Sequence, residues 1–147
     1  MFQEKKGDIW SVWPNEVVVV TTNGVLNKAN QLVMGKGIAA EALLRVPSLA
    51  YEAGEAILVN GLRYYMLTWV STHSIILLQT KLHWRDPSPL DLVEESLELF
   101  GQYAETHENK MFHAPRFGCG NGRLDWEKQV RPLCEQYIPD NVTIWSK

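Results

Sequence analysis

Two glycine-rich segments and one lysine are the residues of this chain best suited to chemistry on a charged ligand. Gly35-Lys36-Gly37 stands directly before a stretch of helical apolar spacing. A helix starting there turns its unpaired N–H groups and positive dipole end toward the loop, where an anion is favoured. Gly118-Cys119-Gly120-Asn121-Gly122 is a second run of backbone able to curl against a ligand, since glycine lacks the Cβ that holds phosphate oxygens off. Each loop alone reads at least as well as a tight turn; their joint presence suits a diphosphate. Neither matches GxxxxGK[ST] or GxGxxG, so P-loop and Rossmann sites are excluded. Lys81 follows Thr80 at the end of an apolar run. Cys119 lies inside the second loop, where a lowered pKa would make a thiol reactive. No histidine base stands beside it in sequence, and a small residue packed under the loop is the expected role.

These groups need elements to hold them. Glu16 to Thr22 is continuously apolar and β-branched, which predicts a strand covered on both faces. Ile38, Ala42, Leu43 and Val46 predict a helix that Pro47 stops. Ile57-Leu58-Val59, Asn60-Gly61 and Leu62 to Trp69 predict a hairpin on a type I′ turn. A strand is expected from Ile75 to Gln79. Ser88 as N-cap, Pro89 at the first helical position and Asp91 then open a helix whose inward stripe is Val93, Leu97, Phe100 and Ala104. Met111 to Ala114 reads as a short strand. Asp125 can cap a final helix that Pro132 should kink, with Trp126, Val130, Leu133, Cys134 and Tyr137 inward. Val142 to Trp145 makes the last strand. Strands alternating with helices predict an α/β protein, a three-layer α/β/α sandwich with a central mixed sheet, the hairpin supplying the antiparallel pairs. Ligands of such sheets bind beyond the carboxyl ends of the strands, where both glycine loops and Lys81 fall.

The chain has 147 residues, enough for one domain spanning 1–147, and its 46% apolar, 21% charged composition is that of a globular core. A formal charge of -3 argues against a protein that grips nucleic acid through a broad basic face, leaving nucleic acid as a locally read substrate. No apolar run approaches the roughly 20 residues of a membrane span and no secretory signal follows Met1, so a cytoplasmic protein without membrane contact is expected. Two cysteines, Cys119 and Cys134, make no disulfide framework, and four scattered histidines lack ligand spacing; no metal is expected. Trp10, Trp13 and Trp84 can stack on a base or fill the core.

Gly7-Asp8-Ile9, the buried strand followed by Asn23, Met34-Gly35-Lys36-Gly37-Ile38-Ala39, and Pro115-Arg116-Phe117-Gly118-Cys119-Gly120 followed by Leu124-Asp125-Trp126 together resemble the signature of a macro domain, in the family's order over nearly the whole chain. Thr80-Lys81-Leu82-His83-Trp84-Arg85 is similar to the TKxHWR segment of the DarG-like branch, whose members remove ADP-ribose from DNA bases. That segment is far more specific than either glycine loop. The resemblance implies ADP-ribose as ligand or product, with no separate cofactor; a monomer is expected. Asp8 would accept from the adenine amino group, as a carboxylate is able to do, with Ile9 packed nearby. Gly35, Lys36, Gly37, Ile38 and Ala39 on one side and Gly118, Cys119, Gly120, Asn121, Gly122, Arg123 and Leu124 on the other would cradle the diphosphate and distal ribose. The plain alternative for Asp8 is a turn cap. Asn23 is the counterpart of the asparagine that orients the distal ribose; because the stretch before Met34 is longer here than in the branch, Asn27 and Asn30 stay open for that role.

The resemblance also implies that Lys81 attacks or assists at the anomeric carbon of the distal ribose, against the plain alternative of an exposed lysine at a strand end. Only the unprotonated amine can do so, and Arg85 and His83 are placed in sequence to lower its pKa. A related glycohydrolase acting on protein-linked ADP-ribose also has an acid in the second glycine loop, where this chain has Gly122. Asp125, the nearest acid, reads as the helix cap. A hydrolase acting on ADP-ribosylated single-stranded DNA is therefore expected, ahead of one acting on modified protein. A non-catalytic ADP-ribose reader and an ADP-ribose 1″-phosphate phosphatase are the alternatives.

Overall fold

The computed structural model describes residues 1–60 and 73–147. Five strands, β1 (Gln3–Lys6), β2 (Val17–Thr22), β3 (Ile75–Gln79), β4 (Phe112–Pro115) and β5 (Val142–Ser146), form one sheet in the order β1-β5-β4-β2-β3. All four pairings are parallel, with Val18 opposite both Ile75 and His113 and Phe112 opposite Val142. Among the described residues the α-helices are α1 (Gly37–Arg45), α2 (Leu49–Asn60), α3 (Leu90–Glu105) and α4 (Arg131–Tyr137). None of the described helices is long and apolar enough to cross a membrane.

Burial explains the central strands. Val17 to Val20 and Ile75 to Leu78 are all buried, so cover is required on both faces, as expected of a parallel sheet. The stripe Val93, Leu97, Phe100 and Ala104 is fully buried and carries α3 onto that sheet, where Phe100 meets Phe112 edge-on at 5.7 Å. Asp125 caps the last helical segment as read, its carboxylate accepting from the Lys128 N–H at 2.8 Å. That segment opens with a π-helical turn over Trp126–Val130, and Pro132 stands in the first turn of α4 beyond it. The irregular turn falls next to the residue that lacks an N–H, as a wider turn does where regular bonding is interrupted.

Several expectations are corrected. Ile57-Leu58-Val59 is not a strand but the last turns of α2, a helix that the apolar run concealed because short apolar runs fit either period. The other half of the expected hairpin, Leu62 to Trp69, lies outside the described residues, and the antiparallel pairs it was to supply are not among the described strands. β1 was not foreseen: its four residues are all exposed and polar. Ser88 does not cap α3 with its side chain. The cap position falls on Pro89, and the Ser88 hydroxyl is buried without a hydrogen-bond partner.

Gly54 on α2 lies against the loop before α1. A Cβ there would stand 1.7 Å from the Asn30 carbonyl oxygen, a contact no backbone tolerates. Gly54→Ala is therefore expected to destabilise the protein by about 1–3 kcal/mol, as overpacking does. Urea unfolding of the two proteins measures it, and equal midpoints would contradict the packing.

Candidate active site

The parallel sheet sends every strand's carboxyl end to one rim, and there a cavity of about 720 Å³ opens. That volume lies in the range of small-molecule sites. Across the rim, Gly7-Asp8-Ile9 follows β1, Trp145 to Lys147 closes β5, Pro115, Arg116 and the second glycine loop follow β4, Thr21 to Asn23 end β2, and Thr80-Lys81 follow β3; all contribute to the lining. β1 and β3 are the outer described strands, so four strand spacings, about 19 Å, separate the Asp8 end from the Lys81 end.

At the first end, Gly7 adopts φ +144° and donates its N–H to the Ser146 carbonyl at 2.8 Å. Asp8 lines the cavity, and one carboxylate oxygen accepts from Trp10 N–H at 3.0 Å to cap a 3-10 turn over Ile9–Val12, the plain role considered for it. Ile9 is buried beside it.

Between the ends lie the two glycine loops. Gly35, Lys36, Gly37, Ile38 and Ala39 all line the cavity at the start of α1, and Gly37 takes φ +60°. A Cβ on Gly37 would lie 3.2 Å from Asn121 Nδ2, so the two loops face each other at close range. Gly118, Gly120, Asn121 and Gly122 line the opposite side. The second loop is closed by Leu124 N–H donating to the Gly118 carbonyl (2.9 Å) and Arg123 N–H to the Gly120 carbonyl (3.1 Å). Beneath it, Ser88 N–H donates to the Gly122 carbonyl at 2.9 Å. A Cβ at position 122 would stand 2.2 Å from Ser88 Oγ and 2.4 Å from the Gly118 carbonyl oxygen, so no side chain, acidic or otherwise, fits there.

Three residues expected in the cradle are not on the cavity wall. Cys119 is half-buried under its loop with Sγ toward the Phe117 carbonyl at 3.4 Å. Burial pushes its thiol up to about 11, the reverse of the shift that reactivity requires. Leu124 packs against the core, its Cδ1 3.0 Å from where a Gly118 Cβ would be. Arg123, at φ +64°, acts on the site through its charge.

Of the three asparagines, only Asn23 lines the cavity. Its Oδ1 accepts from Val25 N–H (2.8 Å) and its Nδ2 donates to the Val33 carbonyl (2.9 Å), pinning both sides of the loop between β2 and α1 at its base. Asn27 instead closes the exposed tip, Oδ1 accepting from Ala29 and Gln31 N–H at 2.9 and 3.0 Å. Asn30 offers α2 its backbone.

Lys81 is held at the far end. Thr80 and Lys81 N–H groups both donate to the Thr22 carbonyl, at 2.9 and 3.3 Å, and Lys81 Nζ donates to the Trp84 carbonyl at 3.2 Å. Burial lowers the Lys81 pKa from the ordinary lysine value, the Arg123 and Lys36 charges push the same way, and Asp86 opposes them. The lowering cations come from the two glycine loops and not, as expected, from Arg85 and His83. Thr21, Thr22, Thr80, Glu41, Arg116 and the Trp145-Ser146-Lys147 end are lining residues that reading the sequence missed. The strand ends among them follow from the rule that ligands sit at the carboxyl ends of parallel strands. Glu41, which accepts from Trp10 Nε1 at 3.0 Å, carries no sequence signal.

A parallel sheet bringing an acid, two facing glycine loops and a lysine to one rim is the architecture of a macro domain, and the chain belongs to that superfamily. Within it the chain resembles DarG. It is 33% identical over 130 residues to the DNA ADP-ribosyl glycohydrolase of Mycobacterium tuberculosis, covering 81% of this chain and 36% of that protein. It superposes on the macrodomain of Thermus aquaticus DarG with a TM-score of 0.70 at 25% identity, over 99% of this chain and 96% of that one. Its TM-score to Thermosipho africanus DarTG in complex with ADP-ribose is 0.73 at 23% identity, over 99% of this chain and 42% of that one. The chain spans just over a third of the length of the curated relatives it matches. No protein-family model matches the sequence.

With its pKa raised, the Cys119 thiol is expected to alkylate with iodoacetamide at pH 7.5 roughly 100-fold more slowly than a free thiol. Peptide mass spectrometry on the folded protein follows it; labelling at the free-thiol rate would show that the loop does not bury the sulfur.

Proposed function

We propose that this protein is an ADP-ribosyl glycohydrolase that binds ADP-ribose along the rim and releases it from modified bases of single-stranded DNA. The observation that carries this reading is the order of groups across the sheet: a carboxylate, two facing glycine loops, then a lysine, spread over a length that suits an extended ligand with an anionic middle. The adenine amino group donates to Asp8, with Ile9 packed beside it. The diphosphate lies between the Gly35–Gly37 and Gly118–Gly122 loops, where the α1 N-terminus, Lys36 and Arg116 offset its charge. The distal ribose then falls between Asn23 and Lys81.

Lys81 supplies the nucleophile. Its Nζ lone pair forms a bond to the anomeric carbon as the bond from that carbon to the base nitrogen breaks. The electron pair leaves with the base, which takes up the proton lost by the amine, and water then displaces the amine to free ADP-ribose. Because no side chain fits at position 122, the site works without a carboxylate in that loop, which favours a base over a protein ester as the departing group.

The test is mass-spectrometric release of ADP-ribose from an oligonucleotide carrying ADP-ribosylated thymine, with protein-linked ADP-ribose in parallel. The wild type is expected to release it from DNA and Lys81→Ala to fall by at least about 100-fold, with calorimetric affinity for ADP-ribose kept within about threefold. Binding without cleavage of either substrate would make the protein a reader, and undiminished activity of Lys81→Ala would remove the lysine from the mechanism.

The pH dependence has a fixed sign. Turnover needs the free amine, whose fraction grows tenfold per pH unit until the Lys81 pKa is reached. Because that pKa is lowered, kcat/KM is expected to rise with pH and level off before the ordinary lysine range. Arg123→Gln removes one of the lowering charges and should move the rise to higher pH. A pH–rate profile of the two proteins checks both, and an unchanged profile in Arg123→Gln would contradict the coupling.

A further inference from the structure

The segment after β3 carries the lysine and also an indole that the fold does not use. Among the described tryptophans, Trp10 and Trp126 are buried and Trp13 and Trp145 partly so, whereas Trp84 is 48% exposed. It nonetheless lines the cavity. Its position is built rather than loose. Thr80 is tied to the end of β2 and Ser88 to the second glycine loop, the turn between closes through Asp86 N–H to the His83 carbonyl at 3.2 Å, and the His83 ring lies 5.0 Å from the indole, tilted 39°. The Trp84 carbonyl accepts the Lys81 ammonium at 3.2 Å, so the indole is hung from the group that holds the nucleophile. Leu82 and Arg85 are exposed in the same segment, giving an apolar and a cationic neighbour.

We propose that Trp84 is the platform on which the departing nucleobase stacks, so that it sets the preference for base-linked ADP-ribose. This rests on the glycohydrolase reading above. A base attached to the anomeric carbon emerges on the Lys81 side of the cavity, because the proposed pose puts the distal ribose there and the adenine at the Asp8 end. There it meets a half-exposed aromatic face, and every base has a π-face that such a surface can hold. The Arg85 guanidinium in the same turn complements the adjoining phosphate of a DNA strand. A protein side chain linked through an ester offers no plane to stack and gains nothing from the indole.

The experiment compares Trp84→Ala, Trp84→Phe and the parent in a Lys81→Ala background, which holds substrate without turnover, measuring affinity for free ADP-ribose and for the ADP-ribosylated oligonucleotide. Trp84→Ala is expected to weaken oligonucleotide binding by about 10- to 100-fold while free ADP-ribose binds within about twofold. Trp84→Phe should recover most of the loss, since it keeps an aromatic face. With Lys81 restored, Trp84→Ala should lower kcat/KM on DNA and leave the pH at which the profile levels off unchanged, because the carbonyl that holds Lys81 is backbone. Equal loss for both ligands, no loss for either, or no recovery by phenylalanine would overturn the platform. A wild type that cleaves no DNA-linked ADP-ribose would instead overturn the underlying function.

Discussion

Strands that all run the same way must all end on the same side, and the site depends on that constraint. Every residue with a proposed chemical role follows a parallel strand or opens the helix after one. The order β1-β5-β4-β2-β3 scrambles the chain order, so groups far apart in sequence become neighbours along the rim and groups close in sequence are sent to opposite parts of it. Gly7 at one terminus touches Trp145 near the other, its Cβ position 3.4 Å from the indole. Lys36 and Arg123, distant in sequence from each other and from Lys81, act on its ammonium together.

Close packing under the second glycine loop decides which chemistry is open to this scaffold. The space a side chain at position 122 would need is taken by Ser88 Oγ and by the Gly118 carbonyl. Position 122 therefore adds no side chain to this part of the wall. The same burial that shapes the loop keeps Cys119 as a thiol, so a residue whose type invites nucleophilic chemistry is removed from it by its surroundings. In the proposed mechanism lysine is left as the nucleophile, with neighbouring cations acting against its charged form.

What could be read from the sequence was what local pattern determines. β2 and β3 have continuous β-branched and apolar runs, and the buried stripe of α3 keeps the helical period, so all three were legible. β1 has neither an apolar residue nor alternation, and its place in the sheet comes wholly from pairing with β5. α2 was hidden because Ile57-Leu58-Val59 followed by Asn-Gly imitates a hairpin locally. Asp8, Ile9, Asn23, Gly35–Ala39, most of the second loop and Lys81, which line the cavity, were legible as candidates through family pattern. The electrostatics of Lys81, the role of Ser88 and the entry of Glu41 into the wall arise from contacts between distant segments, which no spacing records.

The two long connections at the rim differ in how they are fastened. The segment from Thr80 to Ser88 is bonded to the sheet at one end, to a glycine loop at the other, and to its own lysine between them. Adding or removing a residue there would break one of the three ties, so the length of this segment is itself under chemical constraint. The loop from Asn23 to Val33 is clasped at its base by the Asn23 amide, while its tip at Asn27 closes on itself in solvent and is absent from the cavity wall. Extra residues before Met34 therefore accumulate in a hairpin tip that the site does not feel. Insertions and deletions among relatives should be tolerated between Asn23 and Val33 and selected against between Thr80 and Ser88.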